Sequence, residues 1–341
     1  MKILKHILIY KNTSYYSAMP CITRIGDDYI LVFRRAPAER TSRTHLCAAS
    51  HNVVMRTGDH FLWDDRDTII LKDKYGLQDG NVFVQNDGTL CFYSFLWERL
   101  DEPVKRIAWR LLRAKGAYWR LRGIKLYIAD AGLEQISSYR IRNKEYSDAI
   151  AVRGSMARLD NGEVLLPAYG IKKNGERSRV LIYSSKDIRS GFSLTASFHA
   201  PDFAVPYYEP TLVKYKKKAL ACFIRTEGEL HIFRSADNGR TWRGPMRKSL
   251  YGYPHHVLPL RDGRFLLTYG RRKRPYGIYG VVFDSTFSDI QEKNKFLIRK
   301  VDSVNHGYPV SLEVEKGLIF TVYYLSIGKG PTHIAGTVYR M

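Results

Sequence analysis

Acidic residues, cysteines and long apolar runs are all scarce in this chain. Its 33 Asp and Glu stand against 55 Lys and Arg, a formal net charge of +22 over 341 residues. That imbalance points to an anionic partner: an acidic sugar, a nucleic acid or a lipid surface. No recognition-helix, RRM or KH signature accompanies the charge, so no nucleic-acid partner is expected. The four cysteines, Cys21, Cys47, Cys91 and Cys222, are widely spaced in apolar strand-like runs. They show no metal-ligand spacing and read as buried thiols in a reducing compartment, with no cofactor expected. No apolar stretch approaches the roughly 20 residues of a membrane span. The opening run is broken by Lys5 and His6 and is followed by no small-residue cleavage site, which argues against a signal peptide. The expectation is a soluble cytoplasmic chain.

What the chain does have is a repeat. A Pro or Gly, an apolar-rich strand, a polar turn about eight residues on and a second strand recur six times, starting at Pro20, Gly80, Gly154, Pro210, Pro254 and Pro309. The turns include Asp87-Gly88, Asn161-Gly162 and Asp262-Gly263, and the second strands are rich in β-branched and aromatic residues, as in Phe265-Leu266-Leu267-Thr268-Tyr269. Asp-Gly between two apolar runs is a hairpin signal. Units of several short strands recurring at about 45–75 residues indicate a propeller, here of six blades in one domain spanning residues 1–341. Residues 3–10 are expected to pair beside His333–Tyr339 in the last blade and close the ring, which also removes exposed sheet edges.

One stretch is more specific. In Ser235-Ala236-Asp237-Asn238-Gly239-Arg240-Thr241-Trp242, the Asp carboxylate can bond nearby backbone N–H groups and Gly accepts positive φ. The Trp ring can pack beneath the turn. The pattern Ser-x-Asp-x-Gly-x-Thr-Trp resembles the Asp box (BNR repeat) of sialidase-like β-propellers, which implies an all-β fold and normally lies away from the active face.

Residues 98–125 interrupt the repeat. Val104, Ile107, Ala108, Leu111 and Leu112 fall at helical spacing, and Lys105, Arg106, Arg110, Arg113, Lys115, Arg120, Arg122 and Lys125 have no acidic partner after Glu102. The expectation is a basic helical insertion. With Trp109 and Trp119, residues 104–122 would suit peripheral contact with an anionic membrane; the alternative is an insertion packed on the propeller with solvated charges.

In a propeller the innermost strands start around the axis, so equivalent positions form a ring at one mouth. The residues before the six markers are Met19, Asp79, Arg153, Glu209, Tyr253 and Tyr308. A second ring, about fifteen residues on, contains Arg34 and Arg35, Ser94 and Phe95, Tyr169, Arg225, Gly270 and Arg271, and Tyr323 and Tyr324. Carboxylates, arginines and tyrosines together suit a carboxylated sugar. Arginine forks bind carboxylate bidentately, and a phenol beside a carboxylate base can act as a nucleophile. His255, His256 and His306 lie near the same face and read as substrate contacts or caps, not as metal ligands.

These positions resemble the sialidase (neuraminidase) superfamily over essentially the whole chain. Phe33-Arg34-Arg35-Ala36-Pro37 looks like that family's Phe-Arg-x-Pro motif, which supplies the first arginine of its carboxylate-binding triad. Glu209-Pro210 with Arg225 looks like its Glu and second arginine, and Tyr308 stands where it places a nucleophilic tyrosine. The third arginine would fall near Tyr276–Gly280, where there is none, so Arg271 or Arg272 would stand in. The acid/base Asp would fall in the loop Ala38–His45, which has none; Glu39, His45 or the ring residue Asp79 would then handle the leaving-group proton. The resemblance implies an exo-acting glycosidase that releases sialic acid or a related acidic sugar. Arg34, Arg35, Arg225, Arg271, Arg153 and Tyr253 would line the substrate site, while Tyr308, Glu209, His45 and Asp79 would do the chemistry. Two rivals remain: a polysaccharide lyase acting next to a uronic acid, and a non-catalytic propeller that binds acidic glycans.

Overall fold

A computed structural model of the protein describes residues 1–38, 46–64, 68–103, 111–114, 116–171, 176–328 and 330–341. Among them there is no α-helix, only two short 3-10 turns, Pro201–Phe203 and Glu292–Asn294. No helix there is long and apolar enough to cross a membrane. The strands form six antiparallel sheets, each built mainly of strands consecutive in the sequence. Blade 1 comprises Tyr15–Ile25, Asp28–Pro37, His51–Thr57 and Ile69–Leu71. Blade 4 comprises Tyr208–Lys216, Ala219–Arg225, Leu230–Ser235 and Arg243–Lys248. Blade 6 is closed by the two ends of the chain: Lys2–Tyr10 pairs with Thr332–Arg340, setting His6 opposite Thr337.

The cores lie between blades, and this explains why the second strands read as nearly continuous apolar runs. On the strand Ala219–Arg225, Leu220, Cys222 and Ile224 face blade 3, whose strands lie within 150–198, while Ala221 and Phe223 face blade 5, whose strands lie within 255–300. Both faces of each sheet are therefore buried, and the alternation of a half-solvated strand is lost. The glycine markers have a packing cause too. A Cβ on Gly80 would stand 3.0 Å from the Phe33 backbone, and one on Gly154 only 2.2 Å from the Pro210 carbonyl oxygen. Innermost strands approach too closely there for any side chain.

The turn at Ser235–Trp242 lies at the end of blade 4 away from Arg225, since Ser235 pairs with Leu220 while Arg225 pairs with Leu230. Asp237 accepts from the Thr241 amide at 2.9 Å and from its hydroxyl at 2.6 Å. Trp242 Nε1 donates to the Gly239 carbonyl at 2.9 Å, and its ring stacks on Phe198 at 5.2 Å.

The helical insertion expected at 98–125 is corrected by the structure. Leu90–Leu100 and Ala117–Ala129 form a long antiparallel hairpin, with Leu112–Ala114 added beside it; residues 104–110, including Arg106, Trp109 and Arg110, and residue 115 lie outside the described residues. The described flanks of that stretch are held by cross-strand pairing: Trp97 meets Leu121 and Arg99 meets Trp119. Three of the basic residues there, Arg120, Arg122 and Lys125, have acidic partners. Glu98 ion-pairs with both Arg120 and Arg122, and Lys125 reaches Asp73 at 3.2 Å.

Candidate active site

The site begins with a backbone irregularity repeated in four blades. The innermost strands slip register between Ala18 and Cys21, Gln78 and Asn81, Tyr208 and Thr211, and Gly307 and Val310. At each slip a non-glycine residue is left-handed: Met19 (φ 58°), Asp79 (62°), Glu209 (47°) and Tyr308 (56°). Each such residue costs on the order of 1–3 kcal/mol, so surrounding contacts must hold it. Arg153 supplies some of them. Its guanidinium donates to the carbonyls of Pro20 at 3.0 Å and Gly80 at 3.2 Å, and to Asn81 Oδ1 at 3.2 Å. Carbonyls released from the ladder by the bulges are thereby satisfied.

Two of the bulged residues meet across the mouth. The Tyr308 hydroxyl donates to Glu209 Oε1, and the other Glu209 oxygen accepts from Arg225 at 2.8 Å. Both side chains are buried, Tyr308 at 6% and Glu209 at 4% exposure. Burial pushes the Glu209 carboxyl up, but Arg225, the Tyr308 hydroxyl and Arg272 together hold it below the ordinary range. Burial raises the Tyr308 phenol, with Glu209 and Asp79 adding to the rise and Arg225 and Arg272 opposing it. The shared proton therefore rests on Tyr308. Arg225 stacks on the Tyr253 ring at 3.8 Å, and Arg272 lies 5.5 Å from the same ring and 5.8 Å from that of Tyr308. Arg272 is fixed by donating to the His306 carbonyl at 3.0 Å and to the Tyr324 hydroxyl at 2.6 Å. Two partly exposed guanidinium groups thus flank one buried phenol and its carboxylate.

Asp79 completes the cluster. Burial pushes its carboxyl up to about 7 against the pull of Arg153, with Glu209 adding to the rise. Arg34 is fully buried, with its Nε donating to the Leu77 carbonyl at 3.2 Å. Its charge is felt by Asp79 and Tyr16, so it acts on the site from behind. Among the described residues no group of three or more His, Cys, Asp or Glu could hold a metal ion.

No family model matches the sequence, and no curated protein matches it. Solved structures do. A protein of unknown function from Dyadobacter fermentans superposes with a TM-score of 0.87 at 23% identity, covering 100% of this chain and 99% of that one. The Trypanosoma rangeli sialidase, solved in complex with sialic acid, gives 0.63 at 13% identity, covering 99% of this chain and 57% of that one. The Penicillium chrysogenum alpha-L-arabinanase, complexed with arabinobiose, gives 0.66 at 10%, covering 100% and 99%. The fold of this chain is the six-bladed β-propeller that these sialidases and arabinanases share.

On this propeller the ring and strand-end positions separate into those that converge and those that do not. Tyr308, Glu209, Arg225, Tyr253 and Asp79 converge. Arg153 lies beneath, 4.9 Å from the Tyr308 ring but committed to backbone carbonyls and 3% exposed, so it braces the floor instead of facing substrate. Arg35 is turned away: strand alternation sends it to His51 at 2.9 Å and the Tyr10 hydroxyl at 2.9 Å, while Arg34 takes the inner side. Arg271 is also turned away, donating to the Lys273 and Arg274 carbonyls at 2.6 Å, and Arg272 occupies the mouth. His45 and Glu39 lie outside the described residues. His306 is a cap, bonded to the Ser303 carbonyl at 2.6 Å and the Arg271 carbonyl at 3.1 Å. Tyr16, which donates to Asn305 at 2.6 Å, and Gln78, which donates to Asp79 at 3.2 Å, were not legible as site residues; their one sequence signal is proximity to the bulge markers.

Proposed function

We propose that this propeller is a retaining exo-glycosidase for a terminal acidic sugar, sialic acid or a close relative. The observation that carries the reading is the Tyr308–Glu209–Arg225 chain, in which a buried phenol donates to a carboxylate that is itself held ionised by an arginine. Glycoside hydrolases among the structural neighbours support the same class. Arg225 and Arg272 grip the sugar carboxylate, and the charge of +22 favours its approach. Tyr308 attacks the anomeric carbon as its proton passes to Glu209, because the resting proton sits on the phenol and cannot leave ahead of bond formation. The leaving oxygen takes a proton from Asp79, and the glycosyl–tyrosine bond forms as the glycosidic bond breaks. Water then attacks the anomeric carbon, giving its proton to Asp79, while the tyrosine oxygen recovers its own from Glu209.

A product assay tests the class. Aryl sialosides should yield free sugar, and a uronic-acid oligosaccharide should yield no ultraviolet-absorbing unsaturated end. An absorbing product transfers the chain to the lyases, and binding without turnover of either leaves a glycan-binding module. The pH profile tests the proton donor. Asp79 works protonated, and its carboxyl is raised to about 7, so kcat/KM should hold below pH 7 and fall about tenfold per unit above it. Glu209 works ionised and is held low, so the acidic limb should lie below the ordinary carboxylate range. Asp79→Asn should remove the alkaline limb along with most of the rate on poor leaving groups. A limb at 7 that survives this change assigns the proton elsewhere.

A further inference from the structure

Blade 4 departs from the repeat at its end away from the mouth. In the other five blades the turn between the first two strands has a glycine in the left-handed region: Gly26, Gly88, Gly162, Gly263 and Gly317. A carboxylate stands at or beside each of those turns, as Asp87 and Asp262 do. Blade 4 has Lys216-Lys217-Lys218 there, and Lys218 itself is left-handed at φ 59°. A lysine in a place that suits glycine carries a backbone cost that the repeat avoids elsewhere. Core packing does not call for it, since all three lysines are exposed.

The neighbouring turn extends the charge. The Asn238 amide donates to the Lys218 carbonyl at 3.0 Å, which ties the Ser235–Trp242 turn to the lysine turn. That turn and its flanks add Arg234, Arg240 and Arg243, all exposed, with Arg234 set opposite Arg243 across the strand pair. Like charges so placed repel. Among the described residues none of these six cations is ion-paired, whereas at the same end of the molecule Arg24 pairs with Asp27 at 3.2 Å, Arg189 with Asp87 at 3.3 Å and Arg264 with Asp262 at 2.6 Å. The carboxylates nearby are engaged elsewhere: Asp160 with Lys214, Asp237 with Ser235 and Thr241, and Asp284 with Thr286. The arrangement narrows the partner. The six crown two turns and line neither the cavity beside Thr226 and Tyr251 nor the axial one. The one ring among them, Trp242, is stacked on Phe198 and offers no free face for a nucleic-acid base. A planar anionic surface meets both turns at once.

We infer that this corner of blade 4 is a docking surface for an anionic lipid bilayer, and docking there leaves the mouth facing solution. The test is independent of the glycosidase reading, because binding is followed without turnover. Vesicles of phosphatidylcholine with phosphatidylglycerol should sediment the wild-type protein at low salt, pure phosphatidylcholine vesicles should not, and added salt should release it. Lys216→Gln, Lys217→Gln and Arg240→Gln made together should weaken the association on the order of 100-fold. Removing the same charge from paired cations, with Arg24→Gln, Arg189→Gln and Arg264→Gln, should weaken it by about threefold at most. Lys218→Gly should weaken it about fivefold and hold or raise the melting temperature, since the backbone there is one that glycine adopts freely. Binding to neither vesicle or to both alike, equal losses in the two triple variants, or a Lys218→Gly protein that melts lower overturns the inference. So does a duplex oligonucleotide that binds more tightly than the vesicles and is lost in the first triple variant, which assigns the surface to nucleic acid.

Discussion

Replacing Tyr308 by Phe should lower turnover of an aryl sialoside by about 10³-fold or more while changing substrate affinity little. The hydroxyl is the only atom lost. The ring keeps its place against Arg153 and Arg272, and the Arg225 grip on Glu209 is untouched. Two consequences separate this outcome from general damage. Stability should rise or fall little, because the variant removes a buried donor whose partner, Glu209, retains a charged bond to Arg225 at 2.8 Å. Binding measured by calorimetry should persist because the guanidinium groups that meet the carboxylate are unchanged. A variant that keeps a tenth of the rate shows that Tyr308 is not the nucleophile. One that loses binding along with turnover shows that the phenol only shapes the pocket.

The second large effect is expected at Arg225, and its pattern is the reverse. Arg225→Ala removes the proposed substrate contact and also leaves Glu209, 5% exposed at its side chain, without its nearest cation. Truncating one partner of a buried charge pair costs roughly 2–5 kcal/mol. We expect kcat/KM to fall about 10²–10³-fold, mostly through KM. The acidic limb of the pH profile should move upward, since with Arg225 gone burial again dominates the Glu209 carboxyl. In linkage terms Glu209 is a depressed acid: its contribution to stability is present above its unfolded pKa and is lost as pH falls through the folded one. The variant should therefore lose stability most at neutral pH and least in acid. Arg225→Lys should restore the charge but not the bidentate fork, recovering stability ahead of affinity. Equal KM in wild type and Arg225→Ala would remove this arginine from the site.

The blade count and the Tyr308–Glu209 meeting were both legible because one physical constraint wrote them. Innermost strands crowd the axis, as at Gly80 and Gly154, and in four of the blades the residue before the Pro or Gly marker, Asp79, Glu209, Tyr253 or Tyr308, reaches the mouth. The left-handed backbone at Met19, Glu209 and Tyr308 was not legible, because a residue before Pro ordinarily prefers extended conformations, and nothing local marked it at Asp79 before Gly80. Arg272 could have been found by register. Arg34 pairs opposite Ala18 and Arg225 opposite Tyr208, in each case the residue before the ring position. The blade-5 ladder pairs His255 with Tyr269, and counting on from there sets Arg272, not Arg271, opposite Gly252. The hairpin at 90–129 was hidden for another reason. Its pairing partners are eighteen or more residues apart, as with Glu98 and Arg120, and a short window sees only the local apolar spacing.

The account stands on a covalent bond between the sugar and Tyr308, and that bond can be weighed. A sialosyl fluoride carrying a second fluorine at C3 forms the glycosyl-enzyme through its good leaving group, and the electron-withdrawing C3 fluorine slows hydrolysis of the intermediate. After incubation with the wild-type protein, peptide mass spectrometry should find one fluorosialosyl group per chain, on the peptide Gly307-Tyr308-Pro309-Val310-Ser311-Leu312. Fragmentation should place it at Tyr308, and Tyr308→Phe should carry none. An adduct on Glu209, or steady turnover of the reagent with no adduct on any peptide, would contradict the account.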